Sequence, residues 1–160
     1  MNSCNFFISL ICLSQNTIPE VLKKYNKNDV PYISVEELKV TKNILLLDTR
    51  EPYEYKVSHL DNAVCVGHTK FDSKAFLAQY PNKEAKIVVY CSIGVRSEQI
   101  GEKLIKLGYK NVQNLYGGIF EWKNKNNAVV DENSKETDKV HAYSKEWGIY
   151  LTNGIKIYKK

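Results

Sequence analysis

The chain has 160 residues, the size of one domain and long enough to bury a core without disulfide staples. With 43% hydrophobic and 26% charged residues and only 8 Gly and 4 Pro, its composition excludes a disordered, collagen-like or low-complexity chain. The formal charge of +5 comes mostly from scattered lysines, which reads as solvated surface rather than a stripe for nucleic acid.

Residues 1–15 carry no charged side chain and hold the apolar run Phe6 to Leu13. That is the shape of a short secretory signal, so a periplasmic or secreted protein is expected, with a cytoplasmic chain as the alternative. The run is too short for an integral membrane span, which needs about twenty apolar residues. Cys12 follows bulky Ile11, where a lipoprotein site wants a small residue. Residues 16–31 read as a helix and a linker. Thr17-Ile18-Pro19-Glu20 has the form of a capping box and opens a helix to about Tyr25, while Asn26 to Pro31 is polar and breaker-rich. Ser34 to Glu37 is a second capping box, for a helix to about Val40.

Continuous apolar runs at Ile44 to Leu47, Ala63 to Val66 and Ile87 to Tyr90, and the segment Val112 to Leu115 with Gln113 and Asn114 inside it, predict strands of a buried sheet. Helical stretches alternate with them at Pro52 to Val57, Ser73 to Gln79 and Ser97 to Leu107, the last stopped by Gly108. The fold class is therefore α/β: an open parallel sheet with helices on both faces and its chemistry at the C-terminal strand ends. Asn124 to Thr137 is polar and reads as a surface excursion. Residues 128–160 are expected to form an extension packed on the domain. Val140, Tyr143, Trp147 and Leu151 recur there at helical spacing, which predicts one more amphipathic helix. A hairpin about Asn153-Gly154 is the alternative.

Loss of a signal would leave Cys65 and Cys91 of the four cysteines. Zinc spacing is absent, and His59, His68 and His141 are too dispersed in sequence to suggest a metal site. The informative stretch is Val88 to Glu98, where a strand delivers Cys91 to its C-terminal end, Gly94 turns the chain and a helix follows. Such a loop points successive backbone N–H groups at one spot, and the helix N-terminus adds partial positive charge. Cys91 at that spot is expected to be a thiolate nucleophile near neutral pH. Arg96 supplies a fixed cation for an anionic substrate, Gly94 permits the turn, and Ser97 is expected to cap the helix.

Tyr90-Cys91-Ser92-Ile93-Gly94-Val95-Arg96-Ser97 resembles the active loop of single-domain rhodaneses, sulfurtransferases that carry sulfur as a cysteine persulfide. Leu47 to Tyr55, continuing through Ser58 to Ala63, is similar to the family's D-x-R-x-x-x-E-[FY]-x-x-G-H-I-x-x-A segment. Leu115 to Trp122 is similar to its closing G-G-x-x-x-W element. The likeness covers about residues 32–127 and departs at Ser58, which stands where the family usually has glycine. It implies a three-layer α/β/α domain around a five-stranded parallel central sheet. It also implies catalysis by Cys91 without metal or other cofactor, the sulfur being held by loop N–H groups from Ser92, Ile93, Gly94, Val95, Arg96 and Ser97.

By the same resemblance the donor is a small anion such as thiosulfate, and the acceptor is cyanide or a small or protein thiol. Asp48 and Arg50 are implied to brace the loop, and His59 to be a turn residue rather than a base. Cys65 reads as a small buried residue; the alternative is a resolving thiol for Cys91, which needs Cα atoms within about 7 Å. Two rival functions stand beside sulfur transfer. One is a persulfide carrier or interaction module that does not turn over. The other is a phosphatase or arsenate reductase, whose loop is one residue longer than the Cys91 to Arg96 spacing.

Overall fold

The computed structural model describes residues 17–159. The expected signal segment, with Cys4 and Cys12, lies outside the described residues. The elements run α1 (Ile18–Tyr25), β1 (Tyr32–Ile33), α2 (Val35–Val40), β2 (Ile44–Asp48), α3 (Pro52–Val57), β3 (Val64–Cys65) and α4 (Ser73–Gln79). They continue with β4 (Lys86–Tyr90), α5 (Val95–Lys106), β5 (Asn111–Leu115) and α6 (Gly118–Asn124). The extension adds β6 (Val129–Val130), β7 (Glu136–Thr137), β8 (Lys139–His141), α7 (Lys145–Gly148) and β9 (Ile155–Ile157).

A five-stranded, all-parallel sheet in the order β1-β5-β4-β2-β3 forms the centre. The apolar runs explain it. Successive strand side chains point to opposite faces, so an unbroken apolar strand must be covered on both. Leu47, Ile87 and Val89 pack on one face with Phe76, Ile100 and Leu104 from α4 and α5. Leu46, Val88 and Tyr90 pack on the other with Val21, Leu22, Ile119 and Phe120 from α1 and α6. Each such fully buried aliphatic side chain contributes about 1.5–3 kcal/mol. The fifth strand, β1, is one that the apolar runs did not mark; it pairs Tyr32 and Ile33 with Asn114 and Leu115 of β5.

Both capping boxes form, at Thr17 and Glu20 and at Ser34 and Glu37. The helix expected from Ser97 begins two residues earlier, at Val95, with Gly94 as its N-cap. The stretch after α1 does more than join two units, because Val30 is fully buried and Asn26 nearly so.

The extension departs from the expected amphipathic helix. Val140 lies in β8, which pairs in parallel with β9, and only the single turn of α7 is helical. Tyr143 sits at φ +65°, which interrupts any continuous helix. Since β8 and β9 are parallel, the Asn153-Gly154 turn joins no antiparallel hairpin. The hairpin of the extension is instead β6 with β7, inside the polar stretch expected to be irregular. Val140, Ala142 and Leu151 are fully buried. Asn124 and Asn153 pin the extension to the end of α6: Asn124 Nδ2 donates to Tyr150 O, and Asn153 Nδ2 to Lys123 O. No helix among the described residues is long and apolar enough to cross a membrane.

Candidate active site

Strand β4 is central in the sheet and ends at Tyr90, so Cys91 emerges at a C-terminal strand edge between β2 and β5. The chain then turns through Gly94 at φ +125°, a backbone region that side chains rarely adopt. That turn brings the Gly94 N–H onto Cys91 Sγ at 3.1 Å. Three carbonyls of the loop are tied away from the sulfur. Gly94 O accepts from Asn26 Nδ2 at 3.0 Å and Asn114 Nδ2 at 2.8 Å. Cys91 O accepts from Ile119 N at 2.9 Å and Ser92 O from Phe120 N at 3.1 Å. This last pair explains the double glycine at the start of α6. A Cβ on Gly118 would lie 2.3 Å from Cys91 O, so only glycine lets the helix amides approach.

Electrostatics follows from that geometry. Burial pushes the Cys91 thiol up, but the Arg96 guanidinium, the hydroxyl and amide of Ser97 and the Gly94 amide more than reverse it. The thiol is held below its ordinary value, as peptide dipoles and a neighbouring cation favour the thiolate. Ser97 is not the helix cap. It lies inside the first turn of α5, fully buried, and its hydroxyl also reaches Asn114 Oδ1 at 2.7 Å.

Arg96 is less free than a substrate clamp. Its guanidinium forks onto Glu54 Oε2 and Oε1 at 2.6 and 2.9 Å and also donates to Ser92 Oγ at 3.0 Å. Glu54 is fully buried, and although burial raises its carboxyl, the Arg96 hydrogen bond and charge and the Arg50 charge hold it below its usual range. His141 of β8 completes the cluster, with Nδ1 3.8 Å from Glu54 Oε1 and accepting the Tyr143 N–H at 3.2 Å. Burial pulls the His141 imidazolium down, against the opposing pull of Glu54. Glu54 and His141 were missed as site residues. Glu54 stood inside a recognised motif, but nothing local marked it as the partner of Arg96.

A cleft of about 140 Å³ opens on the sulfur and is lined by Cys91, Ser92, Ile93, Val95, Arg96, Tyr143 and Trp147. Gly94 and Ser97 are not part of its wall. Tyr143 and Trp147 come from the extension, and the Tyr143 ring lies 4.9 Å from the Arg96 guanidinium carbon. Helical spacing had flagged both aromatics, but as one face of a helix.

Asp48 and Arg50 do not line the cleft. They form a fully buried pair, with Arg50 Nη2 2.6 Å from Asp48 Oδ2 and 2.7 Å from Ser58 O. Burial works against the Arg50 charge, and the Asp48 charge and hydrogen bond outweigh it. Thr49 between them donates through both N–H and hydroxyl to Tyr90 O, at 2.9 and 3.0 Å, which ties their strand end to the residue before Cys91.

His59 stacks on Tyr55 at 3.7 Å between ring centroids, bridges to Val130 and does not line the cleft. Cys65 pairs in register with Asp48, which pairs with Tyr90. Two strand spacings, about 10 Å, therefore separate Cys65 from the Cys91 level. That exceeds the reach of a disulfide, about 7 Å, so Cys65 cannot resolve Cys91 without backbone movement.

The comparisons with known proteins agree with this architecture. The model of the rhodanese-like domain matches residues 34–125. A tRNA uridine(34) hydroxylase from Hamiltonella defensa is 36% identical over 96 residues, covering 55% of this chain and 26% of that protein. One from Photorhabdus laumondii is 33% identical over 127 residues, covering 66% of this chain and 35% of that protein. The chain thus spans about a quarter to a third of the length of these curated relatives. Among solved structures, a human single-domain sulfurtransferase superposes with a TM-score of 0.52 at 25% identity, covering 60% of this chain and 97% of that one. Motif order, sheet topology and the matched family model, which covers more than half the chain, together make this protein a member of the rhodanese-like domain family.

Proposed function

We propose that this chain transfers sulfane sulfur through a persulfide on Cys91. The observation that carries the reading is the Gly94 N–H aimed at Cys91 Sγ at 3.1 Å, in a loop where the carbonyls of Cys91, Ser92 and Gly94 are engaged elsewhere. The Cys91 thiolate attacks the outer sulfur of a donor such as thiosulfate. A bond forms between the two sulfurs, the donor's S–S bond breaks, and sulfite leaves with the electron pair. The product is a Cys91 persulfide anion, which the same amides and Arg96 stabilise.

An acceptor such as cyanide then attacks the terminal sulfur and leaves as thiocyanate, returning the Cys91 thiolate. A general base has no proton to take, since the nucleophile is already ionised and the leaving group is an anion. The hydroxylation named for the longer relatives is theirs, and the reading for this chain rests on the sulfur cradle. Asp48, Thr49 and Arg50 act as positioning residues for the strand end, and Glu54 as the positioning residue for Arg96.

The test is to incubate the protein with thiosulfate and weigh it. One added sulfur is expected on the wild type and none on Cys91→Ser, and cyanide should release it as thiocyanate over repeated turnovers. A Cys91→Ser protein that still gains sulfur overturns the assignment. A protein that loads sulfur but does not turn over with cyanide is a carrier rather than an enzyme.

A further inference from the structure

The aromatic wall over Cys91 is built by the extension, not by the family core, whose model ends at residue 125. Two observations define what it can accept. The first is size and lining. Ile93, Val95, Tyr143 and Trp147 present carbon to a cleft of about 140 Å³, close to the ~150 Å³ apolar cavity that takes up benzene. The second is charge. Among the described residues Arg96 is the one cation in the cleft wall, and Glu54 already holds it through both of its outer nitrogens. The Tyr143 ring covers a guanidinium face as well. A small dianion entering here would lose its hydration without gaining an unpaired cation, whereas a monoanion with an apolar body would find carbon to bury against.

The wall is also held in place. Tyr143 keeps its φ of +65° with its N–H on buried His141 Nδ1, and such strained backbone persists only where its surroundings enforce it. Trp147 is wedged between Tyr25 of α1 and Tyr150, at 6.0 and 6.1 Å between ring centroids. We infer that Tyr143 and Trp147 are specificity-determining residues that select organic sulfur donors, monoanions with a benzene-sized apolar group, over inorganic thiosulfate. This deepens the sulfur-transfer reading and rests on it. With benzenethiosulfonate as the probe, Cys91 takes the outer sulfur, the S–S bond breaks, and benzenesulfinate leaves with the electron pair.

The experiment compares kcat/KM for benzenethiosulfonate and thiosulfate in the full chain, with cyanide as acceptor, for the wild type, Tyr143→Ala and Trp147→Ala. The wild type should prefer benzenethiosulfonate, and the ratio of the two constants should fall by about tenfold or more in each variant, the scale of one lost apolar contact in a specificity pocket. Tyr143→Asn, which tolerates the left-handed backbone at φ +65°, and Trp147→Gln replace an alanine variant that fails to fold; the same fall in ratio is expected, because the apolar ring is still lost. A wild type that prefers thiosulfate, or a ratio that falls less than tenfold, overturns the inference. Mass measurement separates this from the parent reading: sulfur on Cys91 from both donors with an unchanged ratio sinks the specificity claim alone. No sulfur on Cys91 from either donor sinks both.

Discussion

Glu54 and Arg96 are joined by a two-pronged ion pair, at 2.6 and 2.9 Å, across 42 residues of chain and from α3 to the first turn of α5. The carboxylate is fully buried and the guanidinium side chain 18% exposed. The pair therefore fixes the Arg96 cation in place, with its edge toward the sulfur's loop and its charge partly spent. Removing Glu54 leaves Arg96 a mostly buried charge without its partner. Glu54→Ala should cost about 3 kcal/mol, the low end for breaking a buried pair. Urea unfolding measures it, and a loss below about 1 kcal/mol would show that the pair is replaceable by solvent.

Gly118 makes a sharper case, because its missing side chain is what lets α6 meet the Cys91 loop. Alanine there would place Cβ 2.3 Å from Cys91 O and 2.7 Å from Ser92 O, both backbone atoms that cannot swing aside. Gly118→Ala should lower sulfur loading by about a hundredfold, the scale of an ångström of misplacement. Gly108 has φ +92° but nothing within 4 Å of a Cβ. Gly108→Ala should therefore cost only about 1–2 kcal/mol of backbone strain and leave loading rates as they are. Equal kinetic effects of the two substitutions would remove the role assigned to Gly118.

Asp48 is the counter-charge of a guanidinium with no exposed surface. Asp48→Asn keeps the shape and removes the charge, so Arg50 stays buried and uncompensated. The expected loss is about 3–5 kcal/mol in unfolding free energy, with Cys91 loading reduced only as far as the folded fraction falls. A protein of wild-type stability that has lost loading would instead place Asp48 in the chemistry.

Cys65 and Cys91 should part company toward alkylating reagents. Burial and the neighbouring Asp48 charge push the Cys65 thiol up, whereas Cys91 is held down. Cys65 is the more accessible of the two. Iodoacetamide near neutral pH should nonetheless modify Cys91 first, since reaction follows thiolate fraction. Peptide mapping over a time course reads this directly, and faster labelling of Cys65 would mean that access governs. The same maps after mild oxidation should contain no peptide joining Cys65 to Cys91.

What could be read from the chain was local. Three unbroken apolar runs announced strands covered on both faces, two capping boxes announced helix starts, and the loop after Tyr90 announced a place for an anion. What escaped depends on residues far apart. Asn26 and Asn114 meet at Gly94 O from 68 and 20 residues away, and no period or cap marks them. Arg96 and His141 converge on Glu54 in the same way. In the extension, spacing misled: Val140 and Leu151 are buried because a strand and a turn put them there, while Tyr143 leaves the helical region altogether. Hydrophobic spacing reports which side chains are covered, and here a two-stranded parallel pair covered them without a helix.

The central claim is that the loop amides and Arg96 keep Cys91 ionised, and the thiolate's ultraviolet absorbance measures that without any substrate. Titrated from acid to alkaline pH, the protein should show a thiolate step centred below the ordinary thiol value of 9.0, absent in Cys91→Ser and moved upward in Arg96→Gln. Because the anion is the favoured form in the folded protein, absorbance at that step rises with pH and is lost as pH falls through it. A Cys91 step at or above that ordinary value, unmoved by Arg96→Gln, would contradict the account.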